Sequence, residues 1–133
     1  MSVRHVFVYG TLRRGEARDI NGLLPAPRPV GRASVAGLLY HLGAYPGLVL
    51  DAPGRVQGEV YEISPELERR LDEIEDVWPQ PSGEYCKRET LARLDQSASD
   101  IPCVVYEIAA DRIRGMPVIV CGDWVRHRLD ADA

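Results

Sequence analysis

The sequence predicts a small α+β fold built on a strongly curved, barrel-like β-sheet. Strand-like runs rich in β-branched and aromatic residues dominate the chain, and a single segment carries a full set of helix signals. Glycines interrupt the longest strand, as a bend or bulge requires. With 133 residues, 45% of them hydrophobic and 27% charged, the expectation is one domain over residues 1–133 that buries a core and one pocket.

The elements follow in order. Residues 3–9 read as a first strand, and its unbroken apolar end, Val6, Phe7, Val8 and Tyr9, marks it as covered on both faces. Residues 17–24 fit a short helix stopped by Pro25. Pro25, Pro27 and Pro29 make a stiff connector before a long strand over residues 31–42. Tyr45, Pro46 and Gly47 have turn chemistry, followed by a short strand over 48–50, a Pro53-Gly54 turn and a strand over 56–63. Ser64 is then a helix N-cap, Pro65 suits the first helical position, and Glu66 lies near the positive end of the helix dipole. Leu67, Leu71 and Ile74 recur at i, i+4 and i+7 and form the core stripe, while Glu66 with Arg70 and Arg69 with Glu73 are spaced to pair on the other side. The helix should end near Glu75 or Asp76. A loop containing Pro79, Pro81 and Gly83 leads to strands over 84–94 and 101–108, separated by a polar turn, and residues 118–121 read as a last strand entering Gly122, Asp123 and Trp124.

Composition excludes several functions. A net charge of −4, a pI near 5.4 and dispersed basic residues argue against nucleic acid as a partner. No 18-residue apolar run offers a membrane span, and Arg4 and His5 interrupt the only leader-like stretch, so a cytoplasmic location, no membrane partner and a small-molecule ligand are expected. Cys86, Cys103 and Cys121 are odd in number and widely spaced, and read as reduced, buried small hydrophobes. His5, His41 and His127 show no metal-ligand spacing, so no metal is expected from them.

Two stretches carry chemistry. The first is the exit of the opening strand, Gly10, Thr11, Leu12, Arg13, Arg14, Gly15, where successive backbone amides in a tight turn can cradle an anion and the two arginines add positive potential. An ordinary connecting loop would look the same. The second is the helix end, where Asp72, Glu73, Glu75 and Asp76 crowd four carboxylates into five residues at the negative pole of a dipole. Any buried member should have a raised pKa, as a general acid/base near neutrality requires. Glu75, one position past the core-facing Ile74, can reach a pocket beside the core; the alternative is a solvated acidic helix end.

Taken together, Tyr9-Gly10-Thr11-Leu12, Tyr45-Pro46-Gly47, Gly58-Glu59-Val60-Tyr61-Glu62-Ile63, Leu71-Asp72-x-x-Glu75, Tyr85 and Gly122-Asp123-Trp124 resemble the gamma-glutamylcyclotransferase-like (AIG2-like) family, including its gamma-glutamylamine cyclotransferases and bacterial members, over almost the whole chain. The resemblance implies a small mixed, barrel-like sheet flanked by helices, with Glu75 as catalytic acid/base. It places Tyr9, Gly10, Thr11, Leu12, Pro46, Tyr85 and Tyr106 at a substrate pocket. It further implies a gamma-glutamyl substrate whose own α-amine closes onto the side-chain amide to give 5-oxoproline, without metal or cofactor. Tyr9, Tyr85 and Tyr106 are candidates to donate hydroxyls there, or are core aromatics. Where many relatives have a short Glu-Gly link to a Tyr-x-Arg strand start, this chain inserts residues 76–84 and reads Tyr85-Cys86-Lys87-Arg88. The inserted Val77, Trp78, Pro79, Gln80 and Pro81 form either a loop over the site or plain surface. Glu59 is either a supporting partner or a buried paired charge, and Glu84 is a second decoy carboxylate. Two other functions remain compatible with the residues: a non-catalytic binder of a small anionic metabolite, and a cysteine-dependent acyl transferase, for which no cysteine lies at a loop or helix N-terminus.

Overall fold

A computed structural model describes residues 4–131. Five strands, β1 (Arg4–Val8), β2 (Arg28–His41), β3 (Pro46–Ile63), β4 (Tyr85–Leu94) and β5 (Asp100–Ile108), close into a barrel in the order β1-β3-β2-β4-β5. Helix α1 (Pro65–Ile74) joins β3 to β4, and α2 (Trp124–Ala131) follows the barrel. The sheet is mixed, as expected: β1 runs antiparallel to β3 and parallel to β5, where Val6 faces Val104.

β1 has the apolar content its position demands. Phe7 and Tyr9 join an inner core with Val35, Val56, Val60, Ala92 and Val105, while Val6 and Val8 join a second core with Leu67 and Leu71 of α1. Side chains of a strand alternate between faces, so the stretch from Val6 to Val8, buried on both, must be apolar, while Arg4 and His5 at the start of β1 are half-buried. Val3, expected to open this strand, lies outside the described residues.

The long hairpin differs from the expectation. β2 starts at Arg28, three residues before the expected strand, and its register slips between Pro29 and Gly31, where the missing proline N–H costs nothing. β3 is one 18-residue strand rather than two short ones around a turn. Ala36 faces Arg55 and the next residue, Gly37, faces Leu50, so residues 51–54 bulge out of the ladder. Asp51 (φ 58°) and Gly54 (φ 120°) absorb that excursion, and the Pro53-Gly54 pair sits inside a bulge instead of reversing the chain.

α1 starts as expected: the Ser64 Oγ accepts from the Leu67 N–H at 3.1 Å, with Pro65 at the first position. It ends in a Schellman arrangement, the Asp76 N–H donating to the Glu73 carbonyl (3.1 Å) and the Val77 N–H to that of Asp72 (2.9 Å), with Asp76 left-handed at φ 56°. Leu67 and Leu71 are fully buried, while Ile74 is only half-buried. The expected Arg69 and Arg70 pairings give way to other partners: Arg69 lies 5.0 Å over the Trp78 ring, and Arg70 donates to the Leu24 carbonyl.

Three further expectations need correction. The helix over residues 17–24 shrinks to a 3₁₀ turn, Ile20–Gly22, because the Asp19 carboxylate takes the N–H groups of Gly15 and Asn21 and its own backbone, at φ −40° and ψ 120°, is not helical. The strand over residues 118–121 is a single bridge between Val118 and Tyr40, after which Gly122 turns at φ 68° against the Arg55 carbonyl. The chain then enters α2, a helix without an obvious apolar stripe, whose start is capped by the Asp123 carboxylate accepting from the Arg126 N–H. Of the cysteines, only Cys103 is buried, its thiol pushed up to about 12 by desolvation, while Cys86 and Cys121 are exposed; all three are free.

Gly58 marks the tightest approach at the β1–β3 seam, where a Cβ would stand 2.3 Å from the Val8 carbonyl and 2.6 Å from Phe7 Cζ. Gly58→Ala should lower the unfolding free energy by about 3 kcal/mol in urea denaturation, the cost of overpacking a site that cannot relax.

Candidate active site

The site forms where β1 leaves the barrel. Beyond Val8 the chain turns, the Arg13 N–H closing on the Gly10 carbonyl at 3.0 Å, and then folds back so that the N–H groups of Arg18 and Ile20 reach the carbonyls of Thr11 and Leu12 at 2.9 Å each. The carbonyls of Gly10, Thr11 and Leu12 are thereby occupied, whereas their amides donate to no acceptor among the described residues. Unpaired N–H groups in sequence are what an anion site is made of. Gly10 is required by close packing: a Cβ there would lie 2.7 Å from Pro46 Cγ.

These residues wall a cavity together with Phe7, Val8, Tyr9, Pro46, Tyr85, Tyr106, Arg18 and Glu75. All eight residues expected at a site, Tyr9, Gly10, Thr11, Leu12, Pro46, Glu75, Tyr85 and Tyr106, line it. The inner part holds about 30 Å³ and opens, past Thr11, Arg18, Tyr45, Glu75 and Tyr85, into an outer cleft of about 440 Å³ bordered by Ala17, Ala44, Ile74, Asp76 and Glu84.

Glu75 caps the C-terminus of α1 and is 9% exposed. Its carboxyl has no hydrogen-bond donor among the described residues, and its pKa is raised to about 7. Burial is the largest cause; Arg18 pulls the value down, while Glu84 and Asp76 push it up. The crowding of carboxylates evident in the sequence therefore contributes, but desolvation dominates. Glu59 is the opposite case: it is half-buried and accepts from the Arg13 guanidinium, the Arg14 N–H and the Tyr61 hydroxyl, which makes it a paired charge.

The three tyrosines present rings to the cavity and engage their hydroxyls with the protein. Tyr9 donates to the Tyr106 carbonyl (2.6 Å) and accepts from the Leu48 N–H (3.3 Å); Tyr85 donates to the Pro46 carbonyl (3.2 Å); Tyr106 donates to Asp72 (2.7 Å). Burial raises the pKa of all three, so each stays a neutral donor.

The arginines differ from expectation. Arg13 is 4% exposed and committed to Glu59 and Asp123, and neither it nor Arg14 lines the cavity. The cation at the site is Arg18, whose Nε and Nη2 both donate to the Thr11 Oγ1 at 3.3 Å. No local sequence signal marks it, because it falls in the segment that reads as helix, and only the fold-back onto Thr11 brings it to Glu75. Of the inserted residues 76–84, only the two ends, Asp76 and Glu84, border the outer cleft, and residues 77–83 line neither part of the cavity. Among the described residues no group of three or more His, Cys, Asp or Glu side chains could hold a metal ion, and no helix is long and apolar enough to cross a membrane.

A family model described as gamma-glutamyl cyclotransferase, AIG2-like, matches residues 6–126. A gamma-L-glutamyl-butirosin B gamma-glutamyl cyclotransferase of Niallia circulans is 44% identical over 56% of this chain and 47% of its own length. A gamma-glutamylaminecyclotransferase of Bos taurus is 33% identical over 78% of this chain and 65% of its own. The chain thus spans about half to two thirds of the length of these relatives. The crystal structure of an AIG2-like protein from Mus musculus superposes with a TM-score of 0.72 at 27% identity, covering 88% of this chain and 86% of that one.

The raised pKa has a consequence for stability. A carboxyl that titrates near 4.5 unfolded and about 7 folded favours the folded state at low pH, and that contribution is lost as pH rises from about 4.5 through 7. Glu75→Gln should therefore be more stable than the parent at pH 8 by about 2–3 kcal/mol, with the gap closing below pH 5, when ΔG of unfolding is measured across pH.

Proposed function

The chain belongs to the gamma-glutamyl cyclotransferase, AIG2-like family, and on that footing we propose that it is a cyclotransferase releasing 5-oxoproline from a γ-glutamyl amine or γ-glutamyl amino acid. The reading rests on one observation above all: a buried, unpaired carboxyl poised near neutrality shares a cavity wall with three unpaired amides. The amides of Gly10, Thr11 and Leu12, with Arg18 beside them, hold the substrate's α-carboxylate. Glu75 takes a proton from the α-ammonium, and the freed amine attacks the γ-carbonyl, forming the ring C–N bond. As the tetrahedral intermediate collapses, the original amide C–N bond breaks and Glu75 returns its proton to the departing nitrogen. The ring nitrogen sheds its second proton by the same route, so the products are the lactam and a protonated amine, and no atom comes from outside. Because nucleophile and electrophile belong to one molecule, holding them in register supplies effective molarities on the order of 10⁵ M or more, and one proton-transfer group suffices. The outer cleft receives the amine half.

Two outcomes test this. In mass-spectrometric assays of 5-oxoproline from a panel of γ-glutamyl amino acids and amines, Glu75→Gln should lose activity by about 10³-fold while its circular dichroism spectrum is unchanged. Undiminished release from the variant would place the base elsewhere, and no release by the parent, with panel compounds still raising its Tm, would favour a binding protein. In the parent, kcat/KM should rise with pH as Glu75 ionises around pH 7. Because Arg18 lowers that pKa, Arg18→Gln should move the same limb of the profile to higher pH.

A further inference from the structure

We propose that Arg13 is a positioning residue for the substrate loop, held between the carboxylates of Glu59 and Asp123 so that the amides of Gly10, Thr11 and Leu12 converge on one anion. The inference rests on the cyclotransferase reading, in which those amides bind the α-carboxylate.

Arg13 follows Leu12 directly, yet its side chain lines neither part of the cavity and is 5% exposed. Its Nε meets the Glu59 Oε2 at 3.0 Å and its Nη1 the Asp123 Oδ1 at 2.8 Å. Glu59 stands opposite Val8 in the β1–β3 register, so the anchor is fixed to the barrel at the residue where β1 ends. The other Glu59 oxygen takes the Arg14 N–H at 3.0 Å and the Tyr61 hydroxyl at 2.8 Å. One carboxylate thus grips two consecutive loop residues, one through its side chain and one through its backbone.

Asp123 anchors from the other side. Its Oδ1 also accepts the Arg126 N–H at the start of α2, so the guanidinium bridges the barrel rim and the C-terminal helix. A second tie lies nearby: Glu16, further along the same loop, pairs with Arg128 of α2 at 2.7 Å. If stability were all that was needed, apolar packing of the same volume would serve at least as well, because a buried ion pair gains little over its desolvation cost. What a planar guanidinium held at two edges adds is direction. It fixes the Arg13 backbone, and through it the three preceding peptide groups, in the way a binding constellation needs its supporting shell fixed.

The test compares Arg13→Met, Arg13→Lys and Glu59→Gln in the full chain. The readouts are steady-state 5-oxoproline release on the best γ-glutamyl substrate of the panel, circular dichroism, and amide hydrogen exchange over residues 13–20. Loss of carboxylate alignment weakens ground and transition states alike, so Arg13→Met should raise KM about tenfold or more with kcat within about threefold. Arg13→Lys, which keeps the charge without the fork, should fall between that variant and the parent. Exchange at the Arg13, Arg18 and Ile20 amides, which bond to the carbonyls of Gly10, Thr11 and Leu12, should quicken about tenfold in Glu59→Gln while β1 keeps its protection. A folded Arg13→Met with KM within about twofold of the parent overturns the proposal, as does faster exchange spread evenly over the barrel, which marks a purely structural role. If Arg13→Met does not fold, Glu59→Gln, which removes the charge but keeps an acceptor oxygen, decides by the same readouts. If the parent releases no 5-oxoproline from any panel compound, the cyclotransferase reading falls, and the local or global pattern of exchange still decides whether the clamp holds the loop.

Discussion

The site depends on a constraint placed on β1. The strand is five residues long and is paired on both sides, with β3 and with β5, as barrel closure requires. It has no free edge, and from Val6 to Val8 it has no solvent face, so those residues are committed to packing and to the ladder. Where it leaves the sheet at the rim, the next peptide groups lose their ladder partners together. The fold-back from Arg13 to Ile20 satisfies the carbonyls of Gly10, Thr11 and Leu12 and leaves their amides without a partner. A row of unpaired donors is thus a by-product of closing a small barrel around an apolar strand, and the remaining parts of the cavity are arranged around it.

The two carboxylates near this rim show how environment separates roles. Glu59 receives a guanidinium, a backbone N–H and a phenol, which stabilise its charge. Glu75 is more deeply buried, receives no such donor, and stands at the negative end of α1 beside Asp76 and Glu84. Both are glutamates within reach of an arginine. The difference is that Arg13 bonds to Glu59 directly, while the Arg18 guanidinium is tied to Thr11 and acts on Glu75 only through its field. An acid kept near neutrality requires this incomplete compensation, because a direct ion pair would drive its pKa down and leave it without a proton to return.

Local signals and long-range ones were not equally legible. β1 and α1 announce themselves because their determinants are short-range: an unbroken apolar run, and a cap, a proline and an i, i+4, i+7 stripe within eleven residues. Glu75 was readable for the same reason, since the helix period and the helix end together set its place. The misread elements share a different cause. The Pro53-Gly54 pair has ideal turn chemistry, yet β3 continues through it because Val56 and Val60 belong to the inner core and Leu48 precedes them on the same face. The segment over residues 17–24 is held by Asp19 and by bonds back to Thr11 and Leu12, contacts that local propensity does not contain. Arg18 takes the place at the cavity expected of Arg13 and Arg14, because which nearby arginine faces a cavity is settled by partners such as residues 59 and 123, far away in sequence.

The engaged tyrosines narrow what the chemistry can draw on. Tyr9 uses its hydroxyl as both donor and acceptor within the protein, and the protons of Tyr85 and Tyr106 are directed to the Pro46 carbonyl and to Asp72. Turning Tyr9 or Tyr85 toward a substrate oxyanion would take a donor from a backbone carbonyl, and turning Tyr106 would leave Asp72 with Lys87 alone, a cost comparable to the bond gained. In the proposed reaction this leaves the aromatic rings as walls that exclude water and raise the pKa of Glu75, and assigns polar contact to the loop amides, Arg18 and Glu75 itself. Such economy is compatible with an intramolecular ring closure, where most of the barrier reduction comes from holding one flexible molecule in a single conformation. It is harder to reconcile with a reaction that needs an enzyme nucleophile, for which the cavity wall presents no cysteine, serine or lysine. The demand on the protein is then geometric, and it falls on whatever keeps the amide loop and the end of α1 at a fixed separation.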